Sequence, residues 1–287
     1  MRNITALILF WWLATFASIA QTSGKPAEIK SSPDQVDVQY RFQDGSITLN
    51  EPAVLLFSVH NGLSHPVTLT LGAEKTQFFQ FSLRTPEGRT LQNSRNPGDY
   101  VSIVIFGSGK ATIEPGAEYQ QLILMNEWFR FGMVGTYFLT GQLTTRIEIP
   151  GGGSLPPLSR TTRLEVKPRD PVRLENVCAA LARQVKDTLS VEDWRFPVQM
   201  LSSIVDPIAV PYLGEVLATN KGTENVVIPA LERIGNDDAV AVLLSALGDK
   251  SGDIAVLARQ SLTRLQDRID NSGLKEAVSR ALATTAQ

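Results

Sequence analysis

Regular alternation of apolar and polar residues begins at Val36 and continues through Phe42. A period of two predicts a β-strand with one face buried and the other in solvent. The same alternation recurs in further short runs, each bounded by turn residues: Leu55–Val59, Val67–Leu71, Phe79–Leu83, Val101–Ile105, Leu122–Leu124 and Tyr137–Leu139. Short strands at this spacing, with no helical stretch between them, predict an antiparallel β-sandwich over residues 36–168, of immunoglobulin-like type.

After Pro171 the hydrophobic period changes to about 3.6 residues, which predicts amphipathic helices over residues 171–287. Shifting the sequence by 30 residues places Leu201 on Leu231 and Leu213 on Leu243, with further apolar matches between them. Self-similarity at a period of this length is typical of stacked helical repeats. The second half of the chain is therefore predicted to be a short α-solenoid of helix pairs.

Four segments of the first region carry a family resemblance: EPAVLLFSVHNGLSHPVTLTLG (51–72), TPEGRTL (85–91), IEPGAEY (113–119) and VGTYFLTGQL (134–143). In this order they resemble the bacterial immunoglobulin-like domains of cell-envelope proteins, and among named families the intracellular proteinase inhibitor of bacilli. The resemblance implies the fold more than the function. It also raises a second hypothesis, a protease inhibitor acting through loops of the sandwich, either Asn93–Tyr100 or Pro150–Ser159.

The repeats over Val172–Ala283 resemble HEAT repeats of the short class, about 30 residues long, which also occurs in phycobilisome lyases. This resemblance implies stacked helices. It implies no enzymatic activity, because many non-catalytic proteins share the same packing.

The first 20 residues have the pattern of a secretory signal peptide. Arg2 precedes the apolar run Ile4–Phe16, and small residues follow at Ser18 and Ala20. Cleavage before Gln21 is expected, and an uncleaved membrane anchor is the alternative. Polar residues 21–35 are predicted to be a flexible leader. The protein is thus expected to be exported, periplasmic or extracellular, with no stable membrane insertion after cleavage.

Composition excludes several classes of protein. The 27 basic and 29 acidic residues give a net charge of −2, which argues against a nucleic-acid partner. One cysteine and two histidines cannot assemble a structural zinc site of Cys/His type, and no cofactor motif occurs. Cys178 lies on the apolar side of a predicted helix, which favours a buried thiol over a reactive or intermolecular one.

No catalytic arrangement of residues is recognisable, so the chain is predicted not to be an enzyme. A non-catalytic protein-binding or scaffolding protein of the bacterial envelope, with a protein partner of unknown identity, is the favoured function. Its candidate binding surface is a row of polar positions on the second helices of the repeats, which could also be merely solvated: Gln199, Ser202, Glu232, Arg233, Thr263 and Arg264. Trp128 and Phe131 are predicted to close one end of the sandwich core, with a contact surface as the alternative.

Overall fold

The computed structural model describes residues 35–71, 78–92, 109–151, 153–156, 158–219, 221–249 and 252–284. All of them belong to one compact unit, residues 34–287. The predicted signal peptide, the predicted strand at 101–105 and the candidate inhibitory loop at 93–100 lie outside the described residues, as does nearly all of the predicted leader.

The first part of the chain, here called the β part, consists of short strands. They are β1 (Val36–Phe42), β2 (Ser46–Thr48), β3 (Val54–Asn61), β4 (Val67–Leu71), β5 (Phe79–Arg84), β6 (Thr90–Gln92), β7 (Gly109–Ile113), β8 (Glu118–Leu124), β9 (Gly135–Leu143), β10 (Ile147–Ile149), β11 (Gly153–Ser154) and β12 (Ser159–Lys167). A 3-10 turn at Met125–Glu127 follows β8 directly.

The strands form three sheets, in the orders β1-β3-β8, β11-β10-β4-β7 and β2-β12-β9-β5-β6. All neighbours pair antiparallel except β2 and β12, which are parallel. β1 of the first sheet packs against β12 of the third. The sheets share one hydrophobic core. Each strand of at least five residues contributes two or more buried apolar side chains to it, and β7 and β8 are the exceptions.

Aromatic rings fill the centre of this core. Tyr40 on β1 lies at ring-centroid distances of 5.3 Å from Phe57 and 6.1 Å from Phe81, so it contacts strands of two different sheets. Gly141 on β9 faces the same ring, and a Cβ atom there would lie 2.8 Å from the ring atoms of Tyr40. Glycine at this position is therefore a packing requirement, because any side chain would displace the ring.

The second part, here called the helical part, contains α1 (Pro171–Asp187), α2 (Val191–Ser202), α3 (Val210–Leu217), α4 (Glu224–Ile234), α5 (Asp237–Ala246), α6 (Gly252–Leu265) and α7 (Ser272–Thr284). Each odd-numbered helix packs on the next odd-numbered one, and α2, α4 and α6 pack in the same way. The helices therefore form two rows around a core of their own, distinct from that of the β part.

Residues that match at a shift of 30 positions have matching environments. Leu201 and Leu231 are both fully buried, as are Leu213 and Leu243. Helix α4 ends at Gly235, which has a positive φ of 61°. The side chain of Asn236 caps α5 by accepting a hydrogen bond from the Ala239 amide.

The structure confirms the predicted order of a largely antiparallel β region followed by a helical region. The core assignment of Trp128 is also confirmed, since 2% of its surface is exposed, and Phe131 and Cys178 are buried as predicted. Among the described residues, no helix combines the length and the apolar character that crossing a bilayer requires.

Candidate ligand-binding cleft

The two parts meet where the turn between β2 and β3 contacts the segment that leads into α1. The Thr48 hydroxyl donates a hydrogen bond to the Pro168 carbonyl and accepts one from the Asp170 amide at 2.7 Å. Glu51, a buried carboxylate in the same turn, accepts two hydrogen bonds from the Arg173 guanidinium, at 2.8 and 2.9 Å. This bidentate geometry fixes the start of α1 against the β part.

Asp206 is the second link between the parts. Its carboxylate accepts hydrogen bonds from Arg169 at 2.6 and 2.8 Å, from Asn50 at 3.0 Å and from the Ile208 amide at 3.1 Å. The hydrogen bonds from Arg169 are the main cause that lowers the pKa of Asp206 to about 2, against the opposing effect of its burial. An Asp-Pro pair is typical of a helix start, and Asp206 does cap the 3-10 turn Pro207–Ala209.

Beside these links lies a cleft of about 570 Å³, here called the junction cleft. Its walls come from both parts of the molecule. The β part contributes Asn50, Glu51 and residues 126–132, and the helical part contributes Ser203, Val205, Arg233 and Arg268. A concave site of this size between two differently built regions is a typical location for a ligand.

The segment that forms the β-side wall is held in place from behind. The Asn126 side-chain oxygen accepts a hydrogen bond from the Ala53 amide at 2.6 Å, which ties the 3-10 turn to the start of β3. Trp128 packs edge-to-face on Phe81 at a centroid distance of 4.9 Å, and Phe131 packs on Tyr137 at 5.3 Å. Because its side chains are anchored in the core, this wall is preorganised.

Charged side chains of both signs line the junction cleft. Arg130 and Arg268 are exposed, Arg233 is partly buried, and the carboxylate-bearing residues Glu51 and Glu127 are buried. Both carboxylate oxygens of Glu51 already accept hydrogen bonds from Arg173, which is not part of the lining. The cleft can therefore recognise charged and hydrogen-bonding groups. The described residues contain no cluster of three or more His, Cys, Asp or Glu side chains suited to a metal.

The predicted binding row on the second helices is only partly a surface. Gln199 and Ser202 are buried, at 4% and 1% exposure, so their prediction as exposed contact residues is wrong. Both belong to α2, which packs against α1 and α4. Arg233 donates a hydrogen bond to the Ser202 carbonyl at 2.8 Å and also reaches the junction cleft.

The remaining three members of the row make contacts within the helical part. The Arg264 guanidinium donates two hydrogen bonds of 2.7 Å to Glu232, which also accepts one from the Ser261 hydroxyl. Burial alone would raise the pKa of Glu232, but these hydrogen bonds outweigh it and the pKa is lowered. Thr263 is exposed, with its hydroxyl bonded to the Arg259 carbonyl of its own helix. The side chains of this row therefore mainly connect α4 with α6, and few of their polar groups are left to bind a partner.

Cys178 and the second candidate inhibitory loop offer no reactive feature in the described residues. Burial is the main cause that raises the pKa of the Cys178 thiol to about 12, which keeps it protonated near neutral pH. At the described positions of this region, β10 pairs antiparallel with β11, and β12 begins at Ser159.

The sequence marks Trp128 and Phe131 as aromatic residues of the β part, and no sequence pattern connects them with the helices. The side chains that complete the cleft, Val205 and Arg268, carry no periodic or motif signal of their own. The nearest sequence signal is the pair Asp206-Pro207, which lies where the helical part meets the turn after β2.

Comparisons with known proteins do not assign the chain to a family. No protein-family model matches it, and no curated protein does. Among solved structures it is similar to the sporulation control protein Spo0M of Bacillus subtilis, with 16% identity, 52% of this chain and 56% of that one covered, and a TM-score of 0.26. It is also similar to Escherichia coli alpha-2-macroglobulin, with 9% identity, coverage of 88% and 55%, and a TM-score of 0.28. Likenesses at these TM-scores support no inference about fold or function.

Proposed function

We propose that this protein is a non-catalytic protein-binding or scaffolding protein of the bacterial envelope, and that its partner docks in the junction cleft. The observation that carries the proposal is the cleft itself, a preorganised concavity between a β-sheet part and a helical part. Its two walls are held together by the bidentate ion pairs of Glu51 with Arg173 and of Asp206 with Arg169. A binding site with fixed walls loses little conformational entropy when a partner docks.

Particular contacts support an immunoglobulin-like assignment of the β part. β2 pairs in parallel with the last strand of its sheet, β12. The Tyr137 hydroxyl exchanges two hydrogen bonds of 3.1 Å with the backbone of Met133, four residues upstream. A tyrosine bonded to the preceding corner in this way is a hallmark of Greek-key β-sandwiches. The two helix rows and the 30-residue match likewise support a HEAT-like assignment of the helical part.

Export is proposed from the sequence of residues 1–20. If they are a cleaved signal peptide, protein recovered from the envelope fraction should begin at or near Gln21 when its N-terminus is sequenced. Protein that begins at Met1 and is extracted only by detergent would instead favour a membrane anchor.

Site-specific photocrosslinking in the source cells tests the docking site. A benzophenone amino acid replaces Val205, which lines the cleft and is 45% exposed, or Val256, which is 52% exposed and lies on α6 outside the cleft lining. Both positions are aliphatic, exposed and in the helical part, so they form a matched pair. The proposal expects a discrete adduct with a second protein from position 205 and none from position 256.

Equal adducts from both positions, or none from position 205, would contradict docking in the cleft. An inhibitor function requires a different result. In that case, the purified protein would slow a protease, and changes in the Pro150–Ser159 loop would abolish the effect while Val205 variants would not.

A further inference from the structure

We propose that the segment bound in the junction cleft is an acidic, extended peptide of the partner protein, recognised by arginines on both walls. This inference rests on the proposed function and specifies the chemistry of its ligand. Four features carry it: the positions of the arginines, the neutralisation of one lining carboxylate, the helix ends that face the cleft, and the apolar part of the lining.

The arginines come from separate elements of both parts. Arg130 lies in the segment after β8, Arg233 lies in the last turn of α4, and Arg268 follows α6. Within the described ranges, neither Arg130 nor Arg268 makes an ion pair or a side-chain hydrogen bond. Arg268 is close enough to lower the pKa of Glu232, but Arg264 and Ser261 already occupy the oxygens of that carboxylate.

The acidic residues of the lining do not balance this charge. The Glu51 carboxylate is matched by Arg173 from outside the lining, which leaves Glu127 as the one remaining acidic residue among the described lining residues. Three arginines against one carboxylate give the cleft a net positive charge. Electrostatic complementarity therefore favours an anionic partner segment over a basic or neutral one.

The helix ends favour a peptide over a small anion. α2 and α4 both turn their C-terminal ends toward the cleft, where Ser203 and Arg233 are lining residues. Helix C-termini carry partial negative charge and carbonyl groups without intrahelical partners, so they repel a compact anion. The last four carbonyls of α2 already accept hydrogen bonds from Ser203, Ile204 and Arg233, so an extended peptide would place its backbone N–H groups at the end of α4 while its carboxylates reach the arginines.

The lining also has an apolar component that suits a peptide. Val205 contributes an exposed apolar side chain from the helical side, and small exposed edges of the otherwise buried Trp128, Phe129 and Phe131 line the cleft from the β side. Apolar side chains that alternate with acidic ones would use both kinds of surface, since successive side chains of an extended segment point in opposite directions. A free phosphate group would use only the arginines.

Fluorescence anisotropy with the full-length protein tests this inference. The probes are a fluorescein-labelled hexapeptide of alternating Glu and Leu and its Lys and Leu counterpart. Arg130→Gln and Arg268→Gln remove one cleft charge each, and Arg183→Gln removes an exposed charge of α1 outside the lining as the matched control. The acidic peptide should bind, and each cleft variant should weaken it about fivefold, the effect of one exposed ion pair.

The control variant should bind like the unchanged protein, and binding should weaken at about 1 M salt, where charges are screened beyond about 3 Å. Equal binding of the lysine peptide, or acidic-peptide binding that neither cleft variant alters, would overturn the inference. Displacement of the peptide by millimolar inorganic phosphate would assign the cleft to a small anion instead. Photocrosslinking at Val205 does not depend on charge, so an adduct there without acidic-peptide binding would reject the ligand class and keep the docking site.

Discussion

The β part and the helical part build their cores from different side chains. Among the described residues, nine of the 26 side chains in the buried cluster of the β part are aromatic, whereas Trp194 is the one aromatic residue among 28 in the buried cluster of the helical part, which is mostly aliphatic. Each aromatic ring of the β part packs into a site that does not recur elsewhere in the fold. Tyr40, for example, packs where Gly141 leaves room for its ring. The aliphatic residues of the helical part instead recur at equivalent places, as Leu201 and Leu231 do.

This difference follows from how each part is assembled. Sheets that pack face to face lie about 10 Å apart, a gap that large rings fill well. Helix pairs that repeat the same geometry need side chains of the same size at each repeat. Truncation of one core side chain should therefore reduce stability most in the β part. In the helical part, the loss of stability should depend on the position of the residue within its repeat.

Truncation of the aromatic core should have the largest effect. Trp128→Ala is expected to destabilise the protein by about 3 to 5 kcal/mol, because it leaves a cavity beside Phe81. Urea denaturation measures the change. Val134→Ala, at a position of the β part that is 49% exposed, is the control and should change the free energy of unfolding by no more than about 0.5 kcal/mol. An unchanged midpoint for Trp128→Ala would mean that this ring does not support the core.

Removal of the central link between the parts should come next. Asp206→Ala leaves Arg169 and Asn50 without their shared acceptor and should cost about 2 kcal/mol, less than for a fully buried ion pair because Arg169 is 43% exposed. Far-UV circular dichroism and hydrogen exchange should then report separate unfolding of the two parts. Asp253→Ala, which removes an exposed carboxylate from the first turn of α6, is the control. A single transition with an unchanged midpoint in Asp206→Ala would show that this link does not couple the parts.

The same carboxylate should make stability depend on acid. The pKa of Asp206 is about 2 in the folded protein and 3.8 is its ordinary value, so its stabilisation is present above about pH 4 and is lost as the pH falls toward 2. Relative to Asp206→Asn, the unchanged protein should lose about 1 to 2 kcal/mol of stability over this interval. The loss is modest because Arg169 is 43% exposed, so solvent screens its interaction with Asp206. Urea denaturation at a series of pH values measures the difference. Parallel curves for the two proteins would contradict the assignment.

A backbone change in one repeat should have the smallest effect. Gly235 ends α4 with a φ of 61°, and an added Cβ would lie 3.2 Å from the Glu232 carbonyl oxygen and 3.3 Å from Leu265. Gly235→Ala should therefore destabilise the protein by about 1 kcal/mol. Gly252→Ala, where an added Cβ has no neighbour within 4 Å, should be neutral or slightly stabilising in thermal denaturation. Equal thermal midpoints for the two variants would show that the positive φ and close contacts of Gly235 do not make a side chain unfavourable there.

Local pattern by itself determined much of the secondary structure. Alternation predicted β1 with its bounds, because one solvated and one buried face impose a period of two. The cap at Asn236 and the stop at Gly235 were also readable, since both depend on groups within a few residues. The 30-residue match identified equivalent buried positions because repeated units pack alike.

Only the tertiary structure decided which polar residues remain exposed and which distant groups meet. Gln199 and Ser202 look like surface residues on a single helix, yet both are buried in the folded protein, where α2 packs against α1 and α4. Glu51 and Arg173 are separated by 122 residues, and Asn50 and Asp206 by 156, so no local pattern connects them. The junction cleft exists because these long-range contacts bring the segment after β8 beside the ends of α2 and α4. Contacts between residues so far apart depend on the free energy of the whole fold. Local patterns such as hydrophobic periodicity and helix caps carry no information about that free energy.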